Sequence, residues 1–255
     1  MSESVAQTQD MNLWVIVPAA GIGRRMRSEI PKQYLALDGH SVLEHSLQRL
    51  ALLPGVSEII VVLAPDDTFW PKQRLDLISH TLTTVVGGKE RCDSVLSGLR
   101  ALADRAQTDD WVLVHDAARP CVRVSDIQQL VDQCRLDPVG GLLAMPVRDT
   151  MKRADASGRV EKTVAREQLW HALTPQMFRY DKLVRALEQA QQQNVHVTDE
   201  AMAMELAGMQ AKLVEGHADN IKITRPEDLA LAAFYLREQG EQGLSVFYDG
   251  MEDGG

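Results

Sequence analysis

Three short segments of this chain carry residue types suited to chemistry on phosphate groups. In Pro18-Ala19-Ala20-Gly21-Ile22-Gly23-Arg24-Arg25-Met26 a stretch almost without side chains runs into cations, and Arg27 and Lys32 follow close behind. Ala and Gly let a backbone approach a ligand closely. The clustered cations could neutralise a triphosphate and the charge that builds up during phosphoryl transfer; a solvated basic turn is the plain alternative. The second segment, His115-Asp116-Ala117-Ala118-Arg119-Pro120, offers a carboxylate that could hold Mg²⁺ beside phosphate oxygens, because that hard ion prefers oxygen ligands and keeps several waters. The competing use of Asp116 is a helix N-cap, and His115 reads as a satisfied strand-end histidine. The third, Asp219-Asn220-Ile221-Lys222-Ile223-Thr224, sets a carboxylate and a lysine three apart, a second possible metal ligand and a second source of positive charge.

Other phosphate motifs fail on inspection. Gly21-x-Gly23 is not followed by a third glycine, since Met26 occupies that place, so a dinucleotide dehydrogenase is disfavoured. Gly87-Gly88-Lys89 does not complete a Walker A motif, because Glu90 stands where Ser or Thr is required. A net charge of −9, from 27 Lys and Arg against 36 Asp and Glu, disfavours nucleic acid as a partner, which needs a broad positive footprint. Cys92, Cys121 and Cys134 are odd in number and lack a CxxC; they read as reduced thiols, buried as small hydrophobes, in a cytoplasmic protein. Residues 1–11 form a polar leader without the order of a signal peptide, and no apolar run is long enough for a bilayer.

The elements that must position these segments follow from periodicity. Short aliphatic runs at Leu13–Val17, Glu58–Leu63, Thr83–Val86, Trp111–Val114 and Leu142–Val147 have the character of buried parallel strands. Leu43, Leu47, Leu50 and Val95, Leu99, Leu102 mark helical stripes between them. Alternating strand and helix predicts an α/β fold with a mostly parallel central sheet. Residues 148–164 break the pattern: Asp155-Ala156-Ser157-Gly158 is a turn flanked by polar stretches, a β-hairpin that is either a loose loop or an arm that packs on another chain. Helix, strand and helix resume through 181–193, 198–208, 211–214 and 226–238, with Pro226 in a first helical turn, and 240–255 reads as a frayed tail. One domain over 12–239 is expected, with the arm at about 147–166.

Taken in order, these motifs form a recognisable set. Pro18 to Met26, Pro31-Lys-Gln-Tyr34, Gly87-Gly88 with Asp93-Ser94-Val95, His115 to Pro120, Pro146-Val-Arg-Asp-Thr150, Trp170-His-Ala-Leu-Thr-Pro-Gln176 and Ala218-Asp-Asn-Ile-Lys222 closely resemble the 2-C-methyl-D-erythritol 4-phosphate cytidylyltransferase family, over roughly residues 12–238. The resemblance implies a Rossmann-like nucleotidyltransferase fold with a protruding arm, and Mg²⁺-dependent transfer of cytidylyl from CTP to a sugar-alcohol phosphate in non-mevalonate isoprenoid biosynthesis. It implies that Arg25 and Lys32 stabilise the transition state while the backbone of Ala19, Ala20, Gly21 and Gly23 cradles the triphosphate. Gly88 and Ser94 would read cytosine. Asp116 would serve the metal, alone or with Asp219, and lie near the sugar alcohol. Lys222 and Arg166 would position the attacking phosphate, with Thr150 and Arg119 helping to hold that substrate. In the family the hairpin is a dimer arm, so Thr150 and Arg166 would complete the partner's site in a homodimer. Lys89 departs from the acid expected there, which would touch nucleotide preference if the side chain meets the ligand.

Two other readings remain open on sequence grounds. One is a cytidylyltransferase for a different polyol phosphate, such as ribitol 5-phosphate. The other is a CTP sensor without turnover, disfavoured because a sensor has no use for cations poised around the reacting phosphorus.

Overall fold

The computed structural model describes residues 12–21, 29–75, 78 and 80–248. The first strand, β1 (Leu13–Pro18), shows why the sheet sits at the centre: Leu13, Val15 and Val17 enter one core cluster while Trp14 and Ile16 enter another. A strand apolar on both faces has to be covered on both. Beyond a small hairpin of β2 (Ala36–Leu37) and β3 (His40–Ser41), helix α1 (Val42–Ala51) begins at Ser41, whose hydroxyl accepts from the Glu44 N–H while Glu44 accepts from the Ser41 N–H. That reciprocal cap fixes the helix start. Its Leu43, Leu47 and Leu50 are fully buried, as their spacing requires.

There follow β4 (Val56–Leu63), β5 (Leu82–Val86), α2 (Arg91–Arg100), β6 (Trp111–Val114), α3 (Val124–Cys134) and β7 (Gly140–Pro146). After an outlying pair, β8 (Met151–Ala154) and β9 (Val160–Val164), come β10 (Trp170–Arg179), α4 (Tyr180–Gln192), α5 (Glu200–Leu206), β11 (Lys212–Glu215) and α6 (Glu227–Tyr248). The seven-stranded sheet has the order β11-β7-β10-β6-β1-β4-β5, and every pairing is parallel except the two made by β10. The chain runs from β1 through β4 to β5 on one side, then returns to place β6 on the other flank of β1. Such a reversal opens a crevice at the carboxyl ends of the neighbouring strands, and β1 and β6 end in two of the three phosphate-type segments.

One element carries no expectation from the sequence and another departs from it. The Trp170–Gln176 motif lies in a ten-residue antiparallel strand buried in its second half. Helix α6 continues to Tyr248, past the point where a frayed tail was expected. Gly240 and Gly243 each cost a helix about 1 kcal/mol, too little to end one anchored by Ala232 and Leu236 in the core cluster with Leu37, Val42, Cys121 and Ile223. Residues 1–11 and 249–255 lie outside the described residues.

Gly140 opens β7 at φ +113°, and a Cβ there would stand 2.2 Å from the Met177 carbonyl oxygen of β10. Neither the dihedral nor the backbone neighbour accommodates a side chain. Gly140→Ala is expected to destabilise the fold by about 3 kcal/mol or more, lowering the melting temperature by roughly 6–12 °C. A thermal melt within about 2 °C of the unaltered chain, on the order of experimental scatter, would contradict this reading of the β7–β10 contact.

Candidate active site

A cleft of about 270 Å³ opens where β1, β5 and β6 end. Ala19, Ala20, Gly21, Lys32, Gly88, Ser94, Asp116 and Lys222 all line it, so segments far apart in sequence meet as the motif reading requires. The loop after β1 is shaped by Gln33, whose side-chain amide donates to the carbonyls of Ala19 (2.6 Å) and Gly21 (3.1 Å). Lys32 precedes it on the same short turn, and its Nζ donates to the Ile223 carbonyl at 2.9 Å. Gly23 and Arg25, with Arg24 and Arg27, lie outside the described residues.

Gly87 and Gly88 form the turn between β5 and α2, where added side chains would collide: a Cβ on Gly87 would reach 2.8 Å from Ala20 Cβ, and one on Gly88 2.3 Å from Asp93 Cβ. Ser94 Oγ donates to the Glu90 carbonyl (3.1 Å) and accepts from the Gly88 N–H (3.2 Å). Its proton is therefore committed, and one lone pair remains for a donor on a ligand. Lys89 is exposed on the rim of the same cleft.

Asp116 sits at the centre of the charge network. Its Oδ1 accepts from Arg91 Nε at 2.9 Å, its Oδ2 from Lys222 Nζ at 2.8 Å, and Arg119 Nε lies 3.5 Å from Oδ2. Burial alone would raise its pKa; Arg91, Lys222 and Arg119 more than reverse that, holding the carboxyl well below the usual carboxylate range. The N-cap alternative does not apply, because the carboxylate serves cations and the next helix begins only at Val124.

His115 is fully buried, and burial pushes its pKa down to about 4, so it is neutral. Its Nε2 lies 3.1 Å from the Arg119 carbonyl, which can only accept, so that nitrogen carries the proton. Its Nδ1 then accepts from Thr174 Oγ1 (3.1 Å), which in turn accepts from the Asp116 N–H (3.0 Å). The satisfied strand-end histidine is thus also a prop for the Asp116 backbone.

The segment carrying Lys222 is stitched to the same loop: Ile223 N–H donates to Ala118 O, Arg119 Nη1 to Asn220 O (2.7 Å) and Asn220 Nδ2 to Thr174 O (2.9 Å). Arg119 is buried behind Asp116 and does not line the cleft. Asp219 is not brought there either. It accepts from Arg123 Nε (2.7 Å) and Gln239 Nε2 (2.9 Å), and it lines a separate depression of about 700 Å³ between α3 and α6. Among the described residues no group of three or more His, Cys, Asp or Glu side chains could hold a metal ion by itself. Thr150 and Arg166 are exposed at the base of the β8–β9 hairpin, where Arg166 donates to the Arg148 carbonyl, and neither lines the cleft of its own chain.

Sequence reasoning does not single out Arg91, Glu200 or Gln33. Arg91 adjoins the Gly87-Gly88 turn, which is a usable signal; Glu200 follows an N-capping Asp199 and resembles an ordinary acid in a first helical turn.

Against known proteins, residues 13–238 match the family model of 2-C-methyl-D-erythritol 4-phosphate cytidylyltransferase. The chain belongs to this family of nucleotidyltransferases. Family members bearing that name are 54% identical in Vibrio parahaemolyticus, over 88% of this chain and 96% of the relative, and 51% identical in Hahella chejuensis, over 91% and 96%. Among solved structures, the Francisella tularensis cytidylyltransferase superposes with a TM-score of 0.75 at 36% identity, covering 88% of this chain and 99% of that one. The Thermus thermophilus enzyme of the family gives 0.72 at 29% identity, covering 89% and 100%.

Proposed function

We propose that this chain transfers the cytidylyl group of CTP to 2-C-methyl-D-erythritol 4-phosphate, yielding 4-diphosphocytidyl-2-C-methyl-D-erythritol and pyrophosphate for non-mevalonate isoprenoid biosynthesis in the cytoplasm. The observation that carries this reading is the meeting of Lys32, Lys222 and Asp116 with the Ala19–Gly21 loop in one cleft, in a chain of this family.

An oxygen of the acceptor phosphate attacks the α-phosphorus, and the bond from that phosphorus to the oxygen bridging the β-phosphate breaks as pyrophosphate leaves. The attacking oxygen is already ionised, so the reaction needs no general base; it needs cations, because two anions must approach one another. Lys222 holds the acceptor phosphate. Lys32 and Arg25 stabilise charge on the equatorial oxygens. The backbone of Ala19, Ala20 and Gly21 admits the triphosphate, with open space around Gly21, and the motif extends the same role to Gly23. Ser94 accepts from the exocyclic amine of cytosine with its remaining lone pair, and the tight Gly87-Gly88 turn shapes the base site.

Asp116 fits a divalent ion as a single ligand: it is an ionised carboxylate on the cleft wall, and Mg²⁺ binds through one or two carboxylates plus substrate phosphates and water. Asp116 would hold it, and the ion would supply further neutralisation of the triphosphate. Asp219, engaged by Arg123 and Gln239 in another depression, is the weaker candidate for a second ligand.

The β8–β9 hairpin forms its own two-stranded sheet with every strand residue exposed except Val164. An isolated two-stranded hairpin is at best marginal in water, which supports an arm that seats on a second copy and brings Thr150 and Arg166 to the partner's cleft.

Pyrophosphate release with CTP, Mg²⁺ and either 2-C-methyl-D-erythritol 4-phosphate or ribitol 5-phosphate tests the reading. Release with the first acceptor and far less with the second is expected. The reverse preference would assign another polyol phosphate, and tight CTP binding without release from either would assign a sensor.

A further inference from the structure

The Asp116 carboxylate is held from behind by a residue that no ligand in the cleft would reach. Glu200, the first residue of α5, is 0% exposed. Arg91 forks onto it, Nη1 to Oε1 at 2.6 Å and Nη2 to Oε2 at 3.1 Å, while Nε of the same guanidinium donates to Asp116 Oδ1 at 2.9 Å. A guanidinium is planar and rigid, so pinning two of its nitrogens sets the direction of the third. Both ends of this bridge are referenced to one strand. On β10, Thr174 accepts from the Asp116 N–H, and Gln176 takes the Ala201 N–H (2.8 Å) while donating to the capping Asp199 (3.0 Å).

The bridge decides which Asp116 oxygen faces which cation. Oδ1 is taken by Arg91, so Oδ2 is left to Lys222. A competitor stands close by: Arg119 Nε is buried without a hydrogen-bond partner, 3.5 Å from Oδ2. A carboxylate released from Arg91 would turn toward that unsatisfied donor and pull away from the lysine assigned to the acceptor phosphate.

We propose that Glu200 is a positioning residue for cytidylyl transfer, acting through Arg91 to fix the Asp116 carboxylate in the orientation that serves Lys222. This rests on the reaction proposed above. The alternative is that Glu200 serves only to stabilise the fold.

The two are separated by steady-state pyrophosphate release on the full chain with CTP, Mg²⁺ and 2-C-methyl-D-erythritol 4-phosphate, comparing Glu200→Gln, Arg91→Gln and the double variant. Glu200→Gln is expected to lower kcat about 10- to 100-fold, the scale of a lost charge-assisted hydrogen bond, with KM for CTP within about twofold because the Gly88 and Ser94 contacts are untouched. Residues acting through one another are non-additive, so the double variant should be no slower than Arg91→Gln alone. A Glu200→Gln kcat within about twofold of the unaltered chain, or a double variant whose loss is the product of the single losses, overturns the proposal. Should Glu200→Gln fail to fold, Arg91→Lys answers the same question: it keeps a cation near Asp116 but cannot bridge both carboxylates, so retained kcat in that variant overturns the proposal as well. Absence of pyrophosphate release by the unaltered chain is a different result and removes the reaction itself.

Discussion

Lys32→Ala is expected to fold and to lose about 100- to 1000-fold in kcat, the usual effect of removing one preorganised donor from a developing charge. The side chain reaches the cleft from a short turn and is steadied by the Ile223 carbonyl. That hydrogen bond contributes only about 0.5–1.5 kcal/mol to stability, so the melting temperature should fall by no more than a few degrees. Interactions made chiefly in the transition state lower kcat and kcat/KM together. Steady-state pyrophosphate release across CTP concentrations measures both constants, and near-normal turnover in a folded Lys32→Ala protein would remove Lys32 from the role assigned to it.

Lys222→Ala should act on the other substrate. Its ammonium is held at 2.8 Å by Asp116 on a segment tied to the 116–119 loop, so it faces the cleft at a fixed place. The expected result is a loss of about 100-fold or more in kcat/KM for 2-C-methyl-D-erythritol 4-phosphate, with the apparent affinity for CTP changed much less. Titrating each substrate against saturating concentrations of the other resolves the two. An equal loss for both would move Lys222 from the acceptor phosphate to the triphosphate.

Part of the fold is legible because β1 and β5 each declare themselves twice, through their aliphatic and β-branched composition and through the helical stripe that follows. The Leu43, Leu47, Leu50 and Val95, Leu99, Leu102 stripes are all fully buried. β10 was not legible as a strand: only its second half is buried, and its antiparallel direction is set by neighbours rather than by its own residues. The continuation of α6 past Gly240 was missed because a glycine signals a stop only when packing does not hold the helix that carries it.

At the site, many of the residues that line the cleft are readable, since cations, glycines and a strand-end acid have few other reasons to cluster; Gln33 and Arg91 line it too and are not singled out by the sequence. Residues that act one step removed are not readable. Glu200 looks like an ordinary surface charge in a sequence, and only burial turns it into a constraint; Arg119, expected at the acceptor, is buried behind Asp116 and off the cleft lining. Asp219 shows the converse: its spacing from Lys222 suggested a shared purpose, whereas the turn between them sends the two side chains into different depressions.

The exposed β8–β9 hairpin bears on how the activity depends on protein concentration. If each copy lends its arm to finish the other's cleft, diluting the protein separates catalysts from the parts they borrow. Specific activity would then fall on dilution before any unfolding begins, and an inactive chain with an intact arm could restore turnover to an armless one.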